Sequence, residues 1–236
     1  MSNKGTLFLI PNLISADSDT TVLSQQTGMV LSSIRHFLAE DVRTARRFFG
    51  RLELFEILQD LDFAVLDKET PESEMNTLCK PLTDGHNMGV ISESGCPGVA
   101  DPGGMAVNYA HHHGIKVVPL AGPSSVVLAL MASGLNGQRF AFNGYLPIDS
   151  KEISKSIKEM ERESRNRDQT QIFIETPYRN NTLLQHLIRN LSGDVQLCVA
   201  IDLTGSSENI VMKRIAEWKR QAIALPKKPA IFLFLA

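Results

Sequence analysis

Glycines and prolines are concentrated in one polar segment that directly follows a short apolar run. The segment reads Ser92-Glu-Ser-Gly-Cys-Pro-Gly-Val-Ala-Asp-Pro-Gly-Gly104, and the apolar run before it ends at Ile91. Glycine lets a backbone approach a ligand closely, and proline fixes the shape of a loop. Open α/β sheets bind ligands in loops at the carboxyl ends of their parallel strands. The pattern therefore predicts a ligand-binding loop, and the alternative is a long ordered turn that binds nothing.

A second loop repeats the order of strand, Gly-Pro turn and helix. It reads Pro119-Leu-Ala-Gly-Pro-Ser-Ser-Val126, so Ser124 and Ser125 stand where a helix is predicted to begin. Serine hydroxyls at such a position cap free backbone amides or meet a polar ligand. Capping is the simpler interpretation for a single serine, but two adjacent serines favour a pocket shared with the first loop.

Charged residues follow two of the predicted strands. Glu40 and Asp41 stand at the end of one strand, with Arg43 just beyond them, and Glu175 and Arg179 follow a later strand. Carboxylates and arginines at the carboxyl end of a strand can line a substrate cleft. Each of these residues can instead serve only as a helix cap or in an ion pair, and the sequence leaves both interpretations open.

Several other types of site find no support. Neither loop matches G-x-G-x-x-G or the Walker A pattern, and no G-x-S-x-G segment is present. The histidines at 111–113 predict a helix end before Gly114, because consecutive helical residues point about 100° apart and cannot converge on one metal ion. The scattered Cys79, Cys96 and Cys198 predict neither a zinc site nor a disulfide framework, and they favour a reducing compartment.

Composition narrows the class of protein further. The chain has 236 residues, of which 43% are hydrophobic and 21% are charged, and its formal net charge is −2. This balance does not indicate a nucleic-acid binder, although a local basic patch would suffice for one. No apolar run approaches the roughly 20 residues that cross a bilayer. We therefore expect a cytoplasmic protein without a membrane anchor.

Apolar runs that alternate with amphipathic stretches predict two α/β domains. In the first, strands are predicted at 6–10, 34–39, 89–92, 116–120 and 140–144, and helices at 21–33, 43–52, 104–113 and 124–133. This alternation favours a mostly parallel sheet covered on both faces. The segment Gly144-Tyr-Leu-Pro-Ile-Asp-Ser150 interrupts it, so the domains are placed at 1–146 and 147–236.

The second domain has fewer helices for each strand, which predicts a mixed or antiparallel sheet. Its predicted helices are 151–165, 178–191 and 215–221, and its predicted strands are 171–175, 196–203, 209–212 and 230–235.

In this order, the motifs resemble those of the tetrapyrrole methylase superfamily over nearly the whole chain. The matching segments are Gly5-Thr-Leu-Phe-Leu-Ile-Pro11, Glu40-Asp-Val-Arg-Thr44, the two glycine-containing loops, Phe142-Asn-Gly-Tyr-Leu-Pro147 and Ile174-Glu-Thr-Pro-Tyr-Arg179. Within the superfamily, the sequence is most similar to the branch that methylates a cytidine ribose 2′-hydroxyl in ribosomal RNA of the small subunit. Each motif is weak alone, but their combination in this order is specific.

The resemblance implies S-adenosylmethionine bound in a cleft between two α/β domains, usually in a homodimer, with no metal and with ribosomal RNA or the small ribosomal subunit as a partner. By position, it places the cofactor against Gly95, Cys96, Val99, Ser124 and Ser125 in the first domain. In the second domain it places the cofactor near Thr176, Leu203 and Ala230.

The chain departs from the family pattern at four places. The family's Pro-Ile-Gly-Asn is here Pro11-Asn-Leu-Ile14, and the threonine of the first loop is Cys96. The family's Arg-Glu-Leu-Thr-Lys is Ile201-Asp-Leu-Thr-Gly205, and a Gly-Glu pair is replaced by Lys228-Pro229. These changes motivate two alternatives to ribosomal RNA methylation. One is methylation of a tetrapyrrole or another small molecule, and the other is a binding protein that has lost catalysis.

The implied reaction sets the roles of the charged residues. Methyl transfer from a sulfonium is an in-line displacement, so the enzyme must hold the acceptor atom at near-attack distance. A ribose hydroxyl must also lose its proton, which calls for a carboxylate or an ordered water. Glu40, Asp41 and Glu175 are the candidates for that carboxylate. Arg43 and Arg179 are candidate anchors for a phosphate or carboxylate of the substrate.

Overall fold

The computed structural model describes residues 4–53, 60–220 and 224–236. They form two compact units, the first up to Ser124 and the second from Ser125. The strands of the first unit are β1 (Thr6–Ile10), β2 (His36–Ala39), β3 (Asp62–Val65), β4 (Met88–Ile91) and β5 (Lys116–Pro119). Its helices are α1 (Gln25–Ser33), α2 (Val42–Leu52), α3 (Met75–Leu78), α4 (Lys80–Thr83) and α5 (Gly104–His112).

The sheet of the first unit has the strand order β3-β2-β4-β1-β5, and every neighbouring pair is parallel. Buried apolar side chains form a cluster on each face of this sheet, one containing Ile10 and Phe37 and the other Leu7 and Val90. Gly89 lies in the central strand because a Cβ there would come within 2.3 Å of the Ile10 side chain. Loops that leave β4, β1 and β5 therefore start side by side at one edge of the sheet.

The second unit begins with α6 (Ser125–Ser133) and continues through β6 (Phe140–Tyr145), α7 (Ser150–Arg167), β7 (Thr170–Glu175), α8 (Asn180–Asn190), β8 (Gln196–Ile201), β9 (Asn209–Arg214), α9 (Ile215–Trp218) and β10 (Ala230–Leu235). Its strand order is β6-β7-β10-β8-β9. The β6–β7 pair is parallel and the other pairs are antiparallel. The pattern of two α/β domains, with a parallel sheet in the first and a mixed sheet in the second, is thereby confirmed.

A core of aromatic side chains holds the second sheet. The ring of Phe173 stacks on that of Phe232 at 5.9 Å between centroids, and its edge meets Phe234. The indole of Trp218 is buried and donates from Nε1 to the Leu197 carbonyl at 3.1 Å. Ala230, the first residue of β10, pairs with Glu175, the last residue of β7. The end of β7 and the start of β10 therefore lie at the same edge of this sheet.

The structure differs from the sequence expectations in two respects. Strand β3 and the short helices α3 and α4, each four residues long, were not predicted. Helix α6 packs against β8, β9 and β10, so the units divide between residues 124 and 125 whereas the predicted boundary lies between 146 and 147. Position 221, the predicted end of the last helix, lies outside the described residues.

Within the described ranges, no helix is long and apolar enough to cross a membrane.

Candidate functional site

The loops after β1 and β5 pass one another in direct contact. A Cβ at Gly122 would lie 2.2 Å from the Cβ of Pro11. Real Cβ atoms do not approach other carbon atoms so closely, so any side chain at position 122 would push the two loops apart. Glycine is therefore required here for packing.

Asn12 joins the loop after β1 to the glycine-rich loop after β4. Its side chain is buried, and Nδ2 donates to the carbonyls of Ser92 at 2.8 Å and Glu93 at 3.1 Å. Its backbone N–H donates to the Gly95 carbonyl at 2.8 Å. The sequence singled out Asn12 only as a departure from the family pattern. Its position directly after a buried strand and a proline was the signal that a polar residue is needed there.

Asp101 organises the glycine-rich loop from within. Its Oδ1 accepts hydrogen bonds from the backbone N–H groups of Gly98 and Gly103. Gly98 has φ +80°, and Ala100 is held at +59° despite its side chain. The loop is thus fixed by its own hydrogen bonds. Asp101 stands in the glycine-rich segment, but the sequence alone did not indicate that its side chain shapes the loop.

Cys96 links the glycine-rich loop to the loop after β5. Its Sγ lies 3.4 Å from the Pro123 carbonyl, and a Cβ at Gly95 would come within 3.5 Å of the same oxygen. The Cys96 side chain is half-buried, and burial raises the pKa of its thiol. Of the predicted cofactor contacts in the first unit, Gly95 and Cys96 therefore meet the segment that leads to Ser124, whereas Val99 is exposed on the same loop.

Glu40 lies at the end of β2, beside the glycine-rich loop. Its side chain is partly buried. Burial, followed by the negative charges of Glu93, Asp101 and Asp67, raises the pKa of Glu40 above its usual range. A carboxyl group with a raised pKa binds a proton more readily, which suits a group that accepts one during catalysis.

Asp41 and Arg43 have more modest surroundings. Asp41 is the N-cap of α2 and accepts a hydrogen bond from the Thr44 N–H, which lowers the pKa of the exposed Asp41 carboxyl group. Arg43 is exposed in the first turn of α2. The structure therefore accounts for Asp41 as a helix cap, one of its two interpretations from sequence.

The predicted residues of the second unit gather at one edge of its sheet. Ala230, the first residue of β10, pairs with Glu175 on one side and with Ile201 on the other. Thr176 directly follows Glu175, and Leu203 lies two residues after Ile201. Thr176, Leu203 and Ala230 thus lie at the same end of three neighbouring strands, β7, β8 and β10.

Glu175 and Arg179 form an ion pair with each other at that edge. Glu175 is buried, and its Oε1 accepts from the Thr176 N–H at 2.6 Å. Arg179 places Nη2 3.1 Å from Oε2, although the angle is outside that of a hydrogen bond, and also donates to the Pro147 carbonyl. A structural role accounts for both side chains, so a catalytic Glu175 and an anchoring Arg179 stay predictions.

The histidine run lies away from these loops, at the end of α5. His112 and His113 hydrogen-bond through Nδ1 to the carbonyls of Asn108 and Tyr109. They line a cavity of about 470 Å³ that contains none of the predicted site residues. In residues 4–53, 60–220 and 224–236, no group of three or more His, Cys, Asp or Glu side chains is placed to hold a metal ion.

The chain is similar to curated proteins named ribosomal RNA small subunit methyltransferase I, including those of three organisms. The chain is 33% identical over 211 residues to that of Vibrio cholerae, which covers 89% of this chain and 69% of the relative. It is 32% identical over 209 residues to that of Escherichia coli O157:H7, with coverage of 89% and 69%. It is 30% identical over 216 residues to that of Bacillus subtilis, with coverage of 92% and 70%. No family model matches the chain.

Solved structures share the fold. A uroporphyrin-III-C-methyltransferase from Thermus thermophilus superposes with a TM-score of 0.56 at 18% identity, covering 98% of this chain and 92% of that chain. The methyltransferase CobJ superposes with a TM-score of 0.62 at 15% identity, covering 97% and 93%. At these identities, the likeness bears on the two-unit α/β fold and not on the substrate.

We predict that Asn12→Ala destabilises the first unit, because it leaves the Ser92 and Glu93 carbonyls without their side-chain donor. Leaving buried polar groups unpaired costs about 1–3 kcal/mol, which urea unfolding would measure. Asn108→Ala is the matched control, since the Asn108 side chain is exposed on α5. Equal stability of the Asn12 variant and the wild type would contradict the role assigned to Asn12.

We predict that Glu40→Gln stabilises the folded protein above the raised pKa of Glu40. The folded state binds a proton at Glu40 more tightly than the unfolded chain does, so ionised Glu40 reduces the free energy of unfolding. This cost is complete above the folded pKa of Glu40 and disappears as the pH falls below the ordinary carboxyl pKa. Urea unfolding at about pH 8 and about pH 4 should show the gain only at the higher pH.

Glu163→Gln on α7 is the control for this titration, because it removes an exposed carboxylate. An equal change at both pH values in the Glu40 variant would show that packing, and not ionisation, is responsible.

Proposed function

Because this chain belongs to the ribosomal RNA small subunit methyltransferase I family, within the tetrapyrrole methylase superfamily, we propose that it transfers a methyl group from S-adenosylmethionine to a ribose 2′-hydroxyl of ribosomal RNA. The observation that carries the proposal is the joining of three loops at the carboxyl edge of the first sheet. Pro11 contacts Gly122, Asn12 holds Gly95, and Cys96 approaches the Pro123 carbonyl.

These loops fit the proposed cofactor in shape and charge. The absence of a Cβ at Gly95 leaves backbone that a ligand can approach closely, whereas the space beside Gly122 is filled by Pro11. S-Adenosylmethionine carries a sulfonium and an ammonium group, and the carboxylates of Glu40, Glu93 and Asp101 lie within electrostatic range of one another beside the loop. Opposite charges attract more strongly where water is partly excluded. When bound, the cofactor supplies an electrophilic methyl group.

The proposed contacts with the cofactor are the residues that the family resemblance implies, which lie near one edge of each sheet. In the first unit they are Gly95, Cys96, Val99 and Ser124, on the two loops described above. In the second unit they are Ser125, Thr176, Leu203 and Ala230, of which the last three share one edge of the sheet.

Glu40 is the proposed proton acceptor for the ribose hydroxyl. Asp41 is engaged as the cap of α2, and Glu175 is buried against Arg179. Glu40 is partly exposed, and burial, followed by the neighbouring carboxylates, raises its pKa above the usual carboxyl range. A general base is most effective when its pKa lies near the working pH. Arg43, exposed just beyond Glu40, is the proposed contact for an RNA phosphate.

We further propose that the protein acts in the cytoplasm, as its cysteine usage suggests, and as a homodimer, as the family resemblance implies. Ribosomal RNA as the acceptor is consistent with that compartment. Light scattering during size-exclusion chromatography would give the mass in solution, and a single chain of 26.1 kDa would contradict the dimer.

We predict that S-adenosylmethionine protects Cys96 from alkylation. At about 100 times its Kd the ligand should slow modification of Cys96 by about tenfold or more, because the thiol lies in the proposed cofactor loop. Modification without ligand should accelerate as the pH rises, since the thiolate is the reactive form and burial raises the pKa of this thiol.

Cys79 and Cys198 are the internal controls, because burial raises their pKa values to about 12 and about 11. Both should stay unmodified with or without ligand, as read by mass spectrometry of peptides. Equal rates at Cys96 in both conditions would place the cofactor elsewhere.

The acceptor is tested with S-adenosylmethionine labelled in its methyl group and small ribosomal subunits that lack the modification. We predict transfer to the RNA by the wild type and a loss of about 100-fold or more in Glu40→Gln, with Cys96 still protected by the cofactor. Glu163→Gln should transfer at the wild-type rate. Protection of Cys96 without transfer to RNA would favour a binding protein or a different acceptor, which a tetrapyrrole substrate would then distinguish.

A further inference from the structure

Asp202 is a buried carboxylate at the edge of the second sheet. It directly follows β8, its side chain has no exposed surface, and its backbone has φ +52°. Oδ2 accepts from the Ser207 hydroxyl at 2.6 Å and from Lys228 Nζ at 2.8 Å. A buried charge is tolerated when it is paired and hydrogen-bonded. Lys228 therefore compensates a charge that the second unit would otherwise bury at high cost.

The backbone around Asp202 is tied to the same segment as its side chain. The Asp202 N–H donates to the Pro229 carbonyl at 2.9 Å, and the Gly205 N–H donates to the Asp202 carbonyl at 2.8 Å. From the other side, Asn180 is buried and donates from Nδ2 to the Lys228 carbonyl at 2.7 Å. The residues before β10 are thus held to the turn after β8 by both main-chain and side-chain bonds.

Position 205 has no room for a side chain that could supply the cation. A Cβ at Gly205 would lie 2.6 Å from the Asp202 carboxylate atoms. Any side chain there would displace the carboxylate from Ser207 and Lys228. The positive charge comes instead from another segment, since Lys228 brings it from the residues just before β10.

We propose that Asp202 and Lys228 are a positioning pair for the second unit's part of the cofactor site. Leu203 adjoins Asp202, and Ala230 lies two residues after Lys228. The pair fixes both backbones relative to each other, so it sets the position of two proposed cofactor contacts without touching the ligand. The inference rests on the proposed function, because Leu203 and Ala230 are contacts only if S-adenosylmethionine binds.

The test compares the affinity for S-adenosylmethionine among variants by titration calorimetry. Lys228→Met should raise the Kd by about tenfold or more, equivalent to about 1.4 kcal/mol, whereas Lys228→Arg keeps the charge and should restore most of the affinity. Hydrogen exchange without ligand should accelerate together at residues 203–207 and 226–230 in Lys228→Met. Unchanged affinity in folded Lys228→Met would overturn the inference.

A second variant covers the case in which Lys228→Met does not fold, since it leaves the buried Asp202 carboxylate without the cation of Lys228. Asp202→Asn combined with Lys228→Met removes both charges, so it should fold while the side-chain bond between the two segments is still lost. Its Kd should be raised to a similar extent. Wild-type affinity in this folded double variant would also overturn the inference.

The matched control is the ion pair between Arg165 and Asp194, with two hydrogen bonds of 3.0 Å in the same unit. Arg165→Met should leave the Kd unchanged, which separates positioning from a general loss of ion pairing. An equal loss of affinity in Arg165→Met would contradict the inference. Failure of the wild type itself to bind S-adenosylmethionine would instead overturn the proposed function, and this inference with it.

Discussion

Loops that leave neighbouring parallel strands must find hydrogen-bond partners that no strand supplies, and Asn12 provides them in the first unit. One amide group pairs with two carbonyls of the glycine-rich loop, and the Asn12 main chain pairs with a third. Buried carbonyls without donors would be costly. Because these bonds fix where the loop leaves β4, the positions of Cys96 and of the Pro11–Gly122 contact depend on them.

Carboxylates at the carboxyl edge of the first sheet lie near one another, whereas those at the edge of the second sheet are paired with cations. Beside the first sheet, Glu40 lies near other carboxylates, and burial, followed by repulsion from these carboxylates, raises its pKa. At the second sheet, Glu175 and Asp202 are each matched by a cation. A negative edge attracts a positively charged methyl donor but repels RNA phosphates. On the proposed function, the acceptor ribose must therefore enter with its phosphates held farther out, where Arg43 is exposed.

Alternating apolar and amphipathic segments were enough to predict the two-domain α/β fold, because each long element carries its own pattern. Strand β3 was not predicted, although β5, with the same length and the same exposure of its residues, was predicted. Helix α6 was predicted to belong to the first domain, although its packing partners β8 to β10 lie far along the chain. Glycine-rich loops could be recognised locally, whereas the roles of Asn12, Asp101 and Lys228 depend on partners that only the folded chain brings near.

The close approach of Gly205 to Asp202 has an evolutionary consequence. A side chain can return to position 205 only after the Asp202 carboxylate has moved, and loss of Lys228 is tolerated only once that carboxylate has another cation or is gone. The three positions are therefore epistatic, and the order of substitutions matters. Related sequences with a lysine at position 205 are expected to lack one at position 228, and the reverse. The two positions are therefore expected to change together and not independently.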